Sequence, residues 1–457
     1  MASQPERAAA RIHWLVAGRF SSSLAGRSFV ASPKDFDALL GAHLGEIQVR
    51  VPDRLGAGGT REVTLAPRSL RGFTLAGVVE AVPELQAART LAERRPPPAG
   101  AMAAGASRDA SDAAVFGTAL DILSSETIRT LEASWRGLRL LLGACPEGSD
   151  IQVEVLDADP ADIAAAIRAR PAHDTFDEPD ALFVTEPVQS WDLLTSLADL
   201  GEEMLAPCVV ELSPALLGAA STEDLAAQAE RTDPLPEDWE ALRATGAARW
   251  LCASVNPVAL HAEGAGAYRR VCFGASTWAI AAMLSTSYRA QGAFARAVGK
   301  AGALTVPATW AIPTGSQRGK VAPTEAFLPI PAQTGLAARG IVALGSVVNS
   351  DRAVLAAAPM VARGSGVAPL PAQLLTGRIV RFAQWARGQI DPSKSPDEVS
   401  TLLAQAAGLF LFPGMSGAAA IGARVKGEGE DRVLEFGARV DPSHAMVPLE
   451  IAFELPL

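Results

Sequence analysis

No stretch of this 457-residue chain reaches the roughly 18 consecutive apolar residues that a membrane-spanning helix needs. Near the N-terminus, Met-Ala-Ser-Gln-Pro-Glu-Arg is followed only by Leu15-Val16-Ala17-Gly18, an apolar run too short for a signal-peptide core, so a cytoplasmic protein without membrane insertion is expected. A basic surplus is missing too. Lysine and arginine number 40 against 50 aspartates and glutamates, a net charge of −10, which argues against general affinity for nucleic-acid phosphates. Lysine occurs only at Lys34, Lys300, Lys320, Lys394 and Lys426 while arginine and alanine abound, a compositional bias from which no function follows.

Cysteine is scarce and scattered. Cys145, Cys208, Cys252 and Cys272 stand far apart in apolar surroundings, the pattern of buried free thiols rather than of disulfides or a metal site. His13, His43, His173, His261 and His444 include no pair at the i, i+4 spacing that aims two imidazoles at one zinc ion. Catalytic signatures are equally absent. Gly414-Met415-Ser416-Gly417-Ala418 lacks the last glycine of a hydrolase elbow. Gly315-Ser316-Gln317-Arg318-Gly319-Lys320-Val321 is one residue short of a phosphate loop and carries valine where the metal-binding hydroxyl belongs. Gly264-Ala265-Gly266-Ala267-Tyr268-Arg269 fails the third glycine of a dinucleotide turn and reads as a connector. The adjacent carboxylates Asp177-Glu178 and Glu202-Glu203 point apart on any regular element and read as solvated edges. No catalytic, cofactor or metal site is expected from these patterns.

A hydrophobic fraction of 49% with 20% charged residues describes a folded, core-forming chain, long enough for about two to four domains. Its most legible segment is 124 to 142. Ile128, Leu131, Trp135, Leu138 and Leu142 recur at steps of three and four, while Glu126, Arg129, Glu132, Arg136 and Arg139 fall on other faces, so an amphipathic helix lies on something larger with Trp135 as a core anchor. Ser124 or Ser125 can cap it, Glu132 and Arg136 can pair, and Gly143 is expected to stop it.

Residues 11 to 95 read as a small α/β unit, with strands near 12–17, 46–51 and 61–65, a helix opening at Ser32-Pro33 and another over Leu75–Arg94. Arg94 to about Asp112 is rich in proline, alanine, glycine and serine and reads as a linker. From 113, strands at 151–155, 181–185, 208–212 and 250–257 alternate with helices, which predicts a mainly parallel sheet flanked by helices, a mixed α+β arrangement. A nearly all-apolar helix begins at Phe273-Gly274 and is expected to run to about Val298, buried at the centre of a domain or assembly. Three strands near 417–426, 432–440 and 447–455 close the chain. The expected divisions are 1–95, a 96–112 linker, 113–265 and 266–457.

Leu131-Glu132-Ala133-Ser134-Trp135-Arg136-Gly137-Leu138 resembles the Leu-Glu-(small)-(small)-Trp-Arg-Gly-Leu signature of the large sheath subunit of type VI secretion systems, TssC or VipB. Downstream, Gly274 to Leu284 with Trp278 resembles that subunit's Trp-Gly-Asn-Ala helix, Pro323-Thr324-Glu325 its Pro-Thr-Glu, and Arg381-Phe382-Ala383 its Ser-Arg-Phe-Ala-His-Tyr helix, with Gln384 in place of the histidine. The helix Asp238 to Arg243 with Trp239 parallels its Trp-x-x-Phe-Arg, whereas its Arg-Leu-Pro-Tyr-Gly is replaced by Ala259 to Gly264. Before the linker, Arg27-Ser28-Phe29-Val30, Asp35-Phe36-Asp37, Val51-Pro52-Asp53-Arg54-Leu55 and Val82-Pro83-Glu84-Leu85 resemble, in order, motifs of the small subunit, TssB or VipA.

The resemblance implies a fusion of the two sheath subunits, a structural protein without enzymatic activity that self-associates into a ring, cap or tube. It implies a sheath-protein fold and, as partners, further sheath subunits, an inner Hcp-like tube and a baseplate. In the family, arms from the small subunit's C-terminus and the large subunit's N-terminus link neighbours by strand exchange; here the short 94–112 stretch replaces both, which leaves contraction open. No recognition helix for the ClpV ATPase is evident, so its involvement is doubtful. Two further readings stand beside this one. The chain could be a non-polymerising adaptor to baseplate or tube, or an α/β enzyme whose mark would be a concave pocket with convergent titratable groups.

Overall fold

The computed structural model describes residues 12–23, 26–56, 58–94, 101–171, 178–347, 349–364, 366–390, 394–411, 419–426 and 433–456. The N-terminal residues 1–11, the proline-rich 95–100, Asp177 and the segment 414–418 discussed above lie outside them. The chain begins with β1 (Ile12–Gly18), β2 (Ser28–Ala31), α1 (Phe36–His43) and a hairpin of β3 (Ile47–Pro52) and β4 (Thr60–Leu65). Helices α2 (Leu75–Ala81), α3 (Pro83–Arg94), α4 (Ala101–Ser124) and α5 (Glu126–Ala144) follow one another. Strand and helix then alternate through β5 (Ile151–Asp157), α6 (Ile163–Arg168), β6 (Ala181–Val184), α7 (Trp191–Met204), β7 (Cys208–Glu211), α8 (Thr222–Arg231), α9 (Glu237–Arg243) and β8 (Leu251–Val255). A hairpin of β9 (Val258–Glu263) and β10 (Arg270–Gly274) leads into α10 (Ser276–Gln291). Beyond it come β11 (Leu304–Thr305), β12 (Trp310–Ala311), β13 (Val321–Ala322), α11 (Ile330–Ala338), β14 (Ile341–Ser346) and β15 (Arg352–Leu355), then α12 (Leu370–Gln389), α13 (Pro396–Phe410), β16 (Ala419–Lys426), β17 (Val433–Val440), α14 (Pro442–Ala445) and β18 (Leu449–Pro456).

Nine strands form one sheet in the order β11-β15-β14-β8-β7-β6-β1-β5-β2. From β14 to β5 every neighbouring pair is parallel, and β11, β15 and β2 are antiparallel to their neighbours. All seven residues of β1 are buried, as a strand covered on both faces requires. Ile12, Trp14 and Val16 join the core beneath α5, α10 and α12, whereas Leu15 and Ala17 join the core beneath α6, α7, α8 and α11. The mixed α/β layering follows from that period of two. β16, β17 and β18 form a separate antiparallel sheet at the C-terminal end, on the α12 and α13 side.

Several expectations need correction. The stretch read as a linker is helical from Ala101 onward, because an alanine-rich sequence of low complexity is also a strong helix former. The sequence divisions do not mark separate sheets: β1 and β2, β5 to β8, and β11, β14 and β15 come from three different divisions and share one. The helix over Leu75–Arg94 is broken in two, since Pro83 forces Val82 into extended backbone with φ −99° and ψ 108°. α1 starts one turn later than Ser32, whose hydroxyl instead closes a local turn with Asp35. Gly143 does not stop α5, which continues to Ala144. α10 ends at Gln291 rather than near Val298, because Gly292 takes the left-handed conformation at φ 66°.

A protease site engineered between Arg94 and Ala101 tests the shared sheet. Because β1 pairs with both β5 and β6, the two fragments are expected to co-elute under native conditions and to separate only in denaturant; separation on a native sizing column would show that residues 12–94 form an independent unit.

Candidate functional site

Of the motif residues, those of α5 and those around Gly274 and Trp278 meet beside α5, whereas Pro323–Glu325 and Arg381–Ala383 stand elsewhere. Leu131, Trp135 and Leu138 are fully buried. Trp135 donates its indole N–H to the carbonyl of Phe20 at 2.9 Å and meets Phe20 edge-on at 5.6 Å and Phe36 at 5.8 Å, so the anchor grips the loop after β1 and the start of α1. Gly137 and Gly274 leave a slot for Trp278. A Cβ on Gly137 would stand 2.2 Å from Trp278 Cε2, and one on Gly274 would stand 2.4 Å from Leu260 and 3.2 Å from Trp278 Cδ1. Gly137 tolerates no side chain while the indole keeps its place, whereas at Gly274 the closest clash is with Leu260.

Glu132 and Arg136, expected to pair away from the apolar face, are both buried. Arg136 pairs with Glu132 at 2.7 Å, and Arg270 from β10 pairs with the second carboxylate oxygen. Arg270 also bonds Glu263 at 2.7 Å and the carbonyl of Phe73 at 2.9 Å, while Arg136 reaches the carbonyl of Leu70 at 3.4 Å. Burial alone would raise the pKa of Glu263; hydrogen bonds from His261, Arg270 and the Leu75 backbone hold it below the ordinary range. This web ties the turn before α2 to α5 and the β9–β10 hairpin. A second web surrounds buried Asp180, which accepts from Arg378 at 2.6 Å, from Arg381 and from the His13 backbone at 2.9 Å, and so fastens α12 to β1 and β6.

Pro323 and Thr324 are buried and Glu325 is exposed. The Pro323 carbonyl accepts from Ala259 N at 2.8 Å, Thr324 donates to the Ala326 carbonyl at 2.8 Å, and Glu325 accepts from Thr222 at 2.6 Å. Asn256, in left-handed backbone at φ 84°, bonds both Ala326 and Leu344 and locks this segment to β8 and β14. Phe382 and Ala383 are core residues of α12. Gly315–Lys320 is a β12–β13 connection held by Glu223, which accepts from Ser316 N at 3.2 Å, and by Gln317, which bonds Phe327 in both directions at 2.7 Å.

A cleft of about 960 Å³ opens at the carboxyl ends of β6, β7 and β8, between the first turns of α5, α6, α7 and α10. Sequence reasoning missed it, since its wall combines residues from 123 to 325. Glu211 at its floor is buried, accepts from the Ser276 backbone N–H at 2.6 Å, and is pushed up to about 8 by burial. Burial also raises Glu186. Cys272 lines the cleft, and burial pushes its thiol far above the ordinary value, so it stays protonated and is a poor nucleophile. No histidine stands among the lining residues. The other free thiols, Cys145, Cys208 and Cys252, are buried as expected. Among the described residues no group of three or more metal-ligating side chains comes together, and no helix is long and apolar enough to cross a membrane.

No protein-family model and no curated protein matches the chain. Three solved structures are similar to it at low identity. The baseplate of the anti-feeding prophage, 6-fold symmetrised, matches with 8% identity and a TM-score of 0.40 over 100% of this chain and 94% of that chain. The contracted sheath complex of the extracellular contractile injection system PVC matches with 11% identity and a TM-score of 0.40 over 71% and 77% of the two chains. The contracted helical sheath of the anti-feeding prophage matches with 11% identity and a TM-score of 0.40 over 98% and 90%.

Gly137→Ala is expected to destabilise the protein by about 1–3 kcal/mol through overpacking against Trp278, with partial recovery in the Gly137→Ala/Trp278→Phe double variant; urea unfolding of the four forms measures the coupling. Glu211 supplies a pH test. Its folded pKa of about 8 lies above the ordinary 4.5, so the folded state keeps a proton that the unfolded chain releases. The associated stability is complete below about pH 4.5 and is lost as pH rises towards about 8. Glu211→Gln is expected to flatten that decline relative to the parent protein in denaturation curves taken across this range; an unchanged slope would refute the assignment.

Proposed function

We propose that the chain is a structural subunit of the contractile-sheath type, a single polypeptide in which small- and large-subunit portions are fused, and that it self-associates into a ring, cap or tube. The observation that carries the reading is the meeting of the resembling segments: Gly137 of the octapeptide receives Trp278, and Glu132 binds Arg270 just before the Gly274 motif. The segments form one packed unit, and their buried side chains hold helices and strands in register instead of converging on a reacting atom. The N-terminal portion enters the same sheet through β1 and β2, as two halves that work as one subunit require.

In this reading the function is mechanical. Subunits repeat through heterologous contacts, which generate rings or filaments. The expected neighbours are further copies, other sheath subunits, an Hcp-like inner tube and a baseplate, in the cytoplasm, with no cofactor and no catalytic step. The adaptor reading differs only in needing a partner to assemble.

Negative-stain electron microscopy beside light scattering over a range of concentrations tests the proposal. Rings, tubes or filaments are expected, with scattering that grows with concentration; a monomeric particle at every concentration would rule out self-driven assembly.

A further inference from the structure

β10 forms one wall of the large cleft. Arg270, Val271, Cys272, Phe273 and Gly274 all line it in unbroken sequence, while no residue of β9 does. A cleft lying on one face of a strand would meet alternate residues, so this one abuts the strand along its edge. That edge is free: β10 has β9 as its single sheet neighbour, and among the described residues no backbone hydrogen bond joins it to a further strand. Unpaired N–H and C=O groups along an edge are what an added strand satisfies.

The rest of the wall is acidic. Glu126, Asp162, Glu186, Asp192 and Glu325 line the cleft, against Arg129, Arg168 and Arg270, while Glu211 at the floor is held neutral by burial. Two of those arginines are engaged with carboxylates outside the wall: Arg168 pairs with Glu203 at 2.8 Å, and Arg270 with Glu132 and Glu263.

We propose that this cleft receives an extended, arginine- or lysine-bearing segment of another polypeptide, which adds as a strand to the free edge of β10 while its cationic side chains meet the acidic wall. The backbone supplies affinity and the alternating side chains supply selection, because every second residue of the added strand faces the same wall. A segment of five residues opposite β10 spans about 17 Å. This binding stands whether or not the chain polymerises.

The test uses the full chain and a fluorescein-labelled hexapeptide of alternating arginine and valine, followed by fluorescence anisotropy. Saturable binding is expected. Methylating the peptide's alternate backbone nitrogens, which leaves its charge intact, should weaken binding about tenfold or more by removing the added-strand hydrogen bonds. An alternating glutamate-valine peptide should not bind, and the double variant Glu126→Arg/Asp192→Arg, checked for unchanged thermal unfolding, should weaken the basic peptide by about tenfold, an effect that shrinks as salt rises. Hydrogen exchange should slow at Val271–Gly274 on binding. Absence of saturable binding, equal binding of the methylated or acidic peptide, displacement by equimolar free arginine, or protection appearing at β2 or β18 instead of β10 would each overturn the proposal.

Discussion

The indole of Trp278 occupies a slot that exists only because Gly137 carries no side chain. That contact brings α5 and α10 close, and both helices then cover the same face of the nine-stranded sheet. Trp135, two residues before Gly137 on α5, reaches Phe20 and the loop after β1. Closely packed interiors transmit small displacements, so the position of α5 governs that of the β9–β10 hairpin and of the cleft beside it.

Charge is used inside this protein as carefully as volume. Glu132 is fully buried and bonded by two arginines, and Asp180 by two others. Such groups contribute little net stability compared with apolar replacements, but removing one partner strands the other in a low-dielectric setting. They therefore select one packing arrangement among several that apolar contacts alone would permit. Glu211 differs: it holds the first turn of α10 as a neutral acid, so its contribution depends on pH where the ion pairs hold by mutual attraction.

Local elements were legible because they depend on local pattern. The alternation of Ile151, Val153 and Val155 gave β5, and the spacing of Leu131, Trp135 and Leu138 gave α5. The sequence neighbourhoods of the motif residues do not show that Glu132 meets Arg270, 138 positions away, or that Asp180 meets Arg378 across 198. Those pairings depend on topology. The burial of Glu132 has no local signal, because a charged residue on a helix usually faces water and here a second layer covers it. The cleft left no signal in the chain, since no two of its walls are contiguous.

The place of β1 has a consequence for how the protein is made. Its two sheet neighbours, Ile151–Asp157 and Ala181–Val184, lie far downstream. On a ribosome, the strand emerges and then waits until β6 has been synthesised, roughly 10 to 30 s at ordinary elongation rates. Throughout that interval Ile12, Trp14, Leu15 and Val16 have no sheet to enter, so the nascent chain presents an apolar N-terminal segment that a cell must shield before the molecule can close around it.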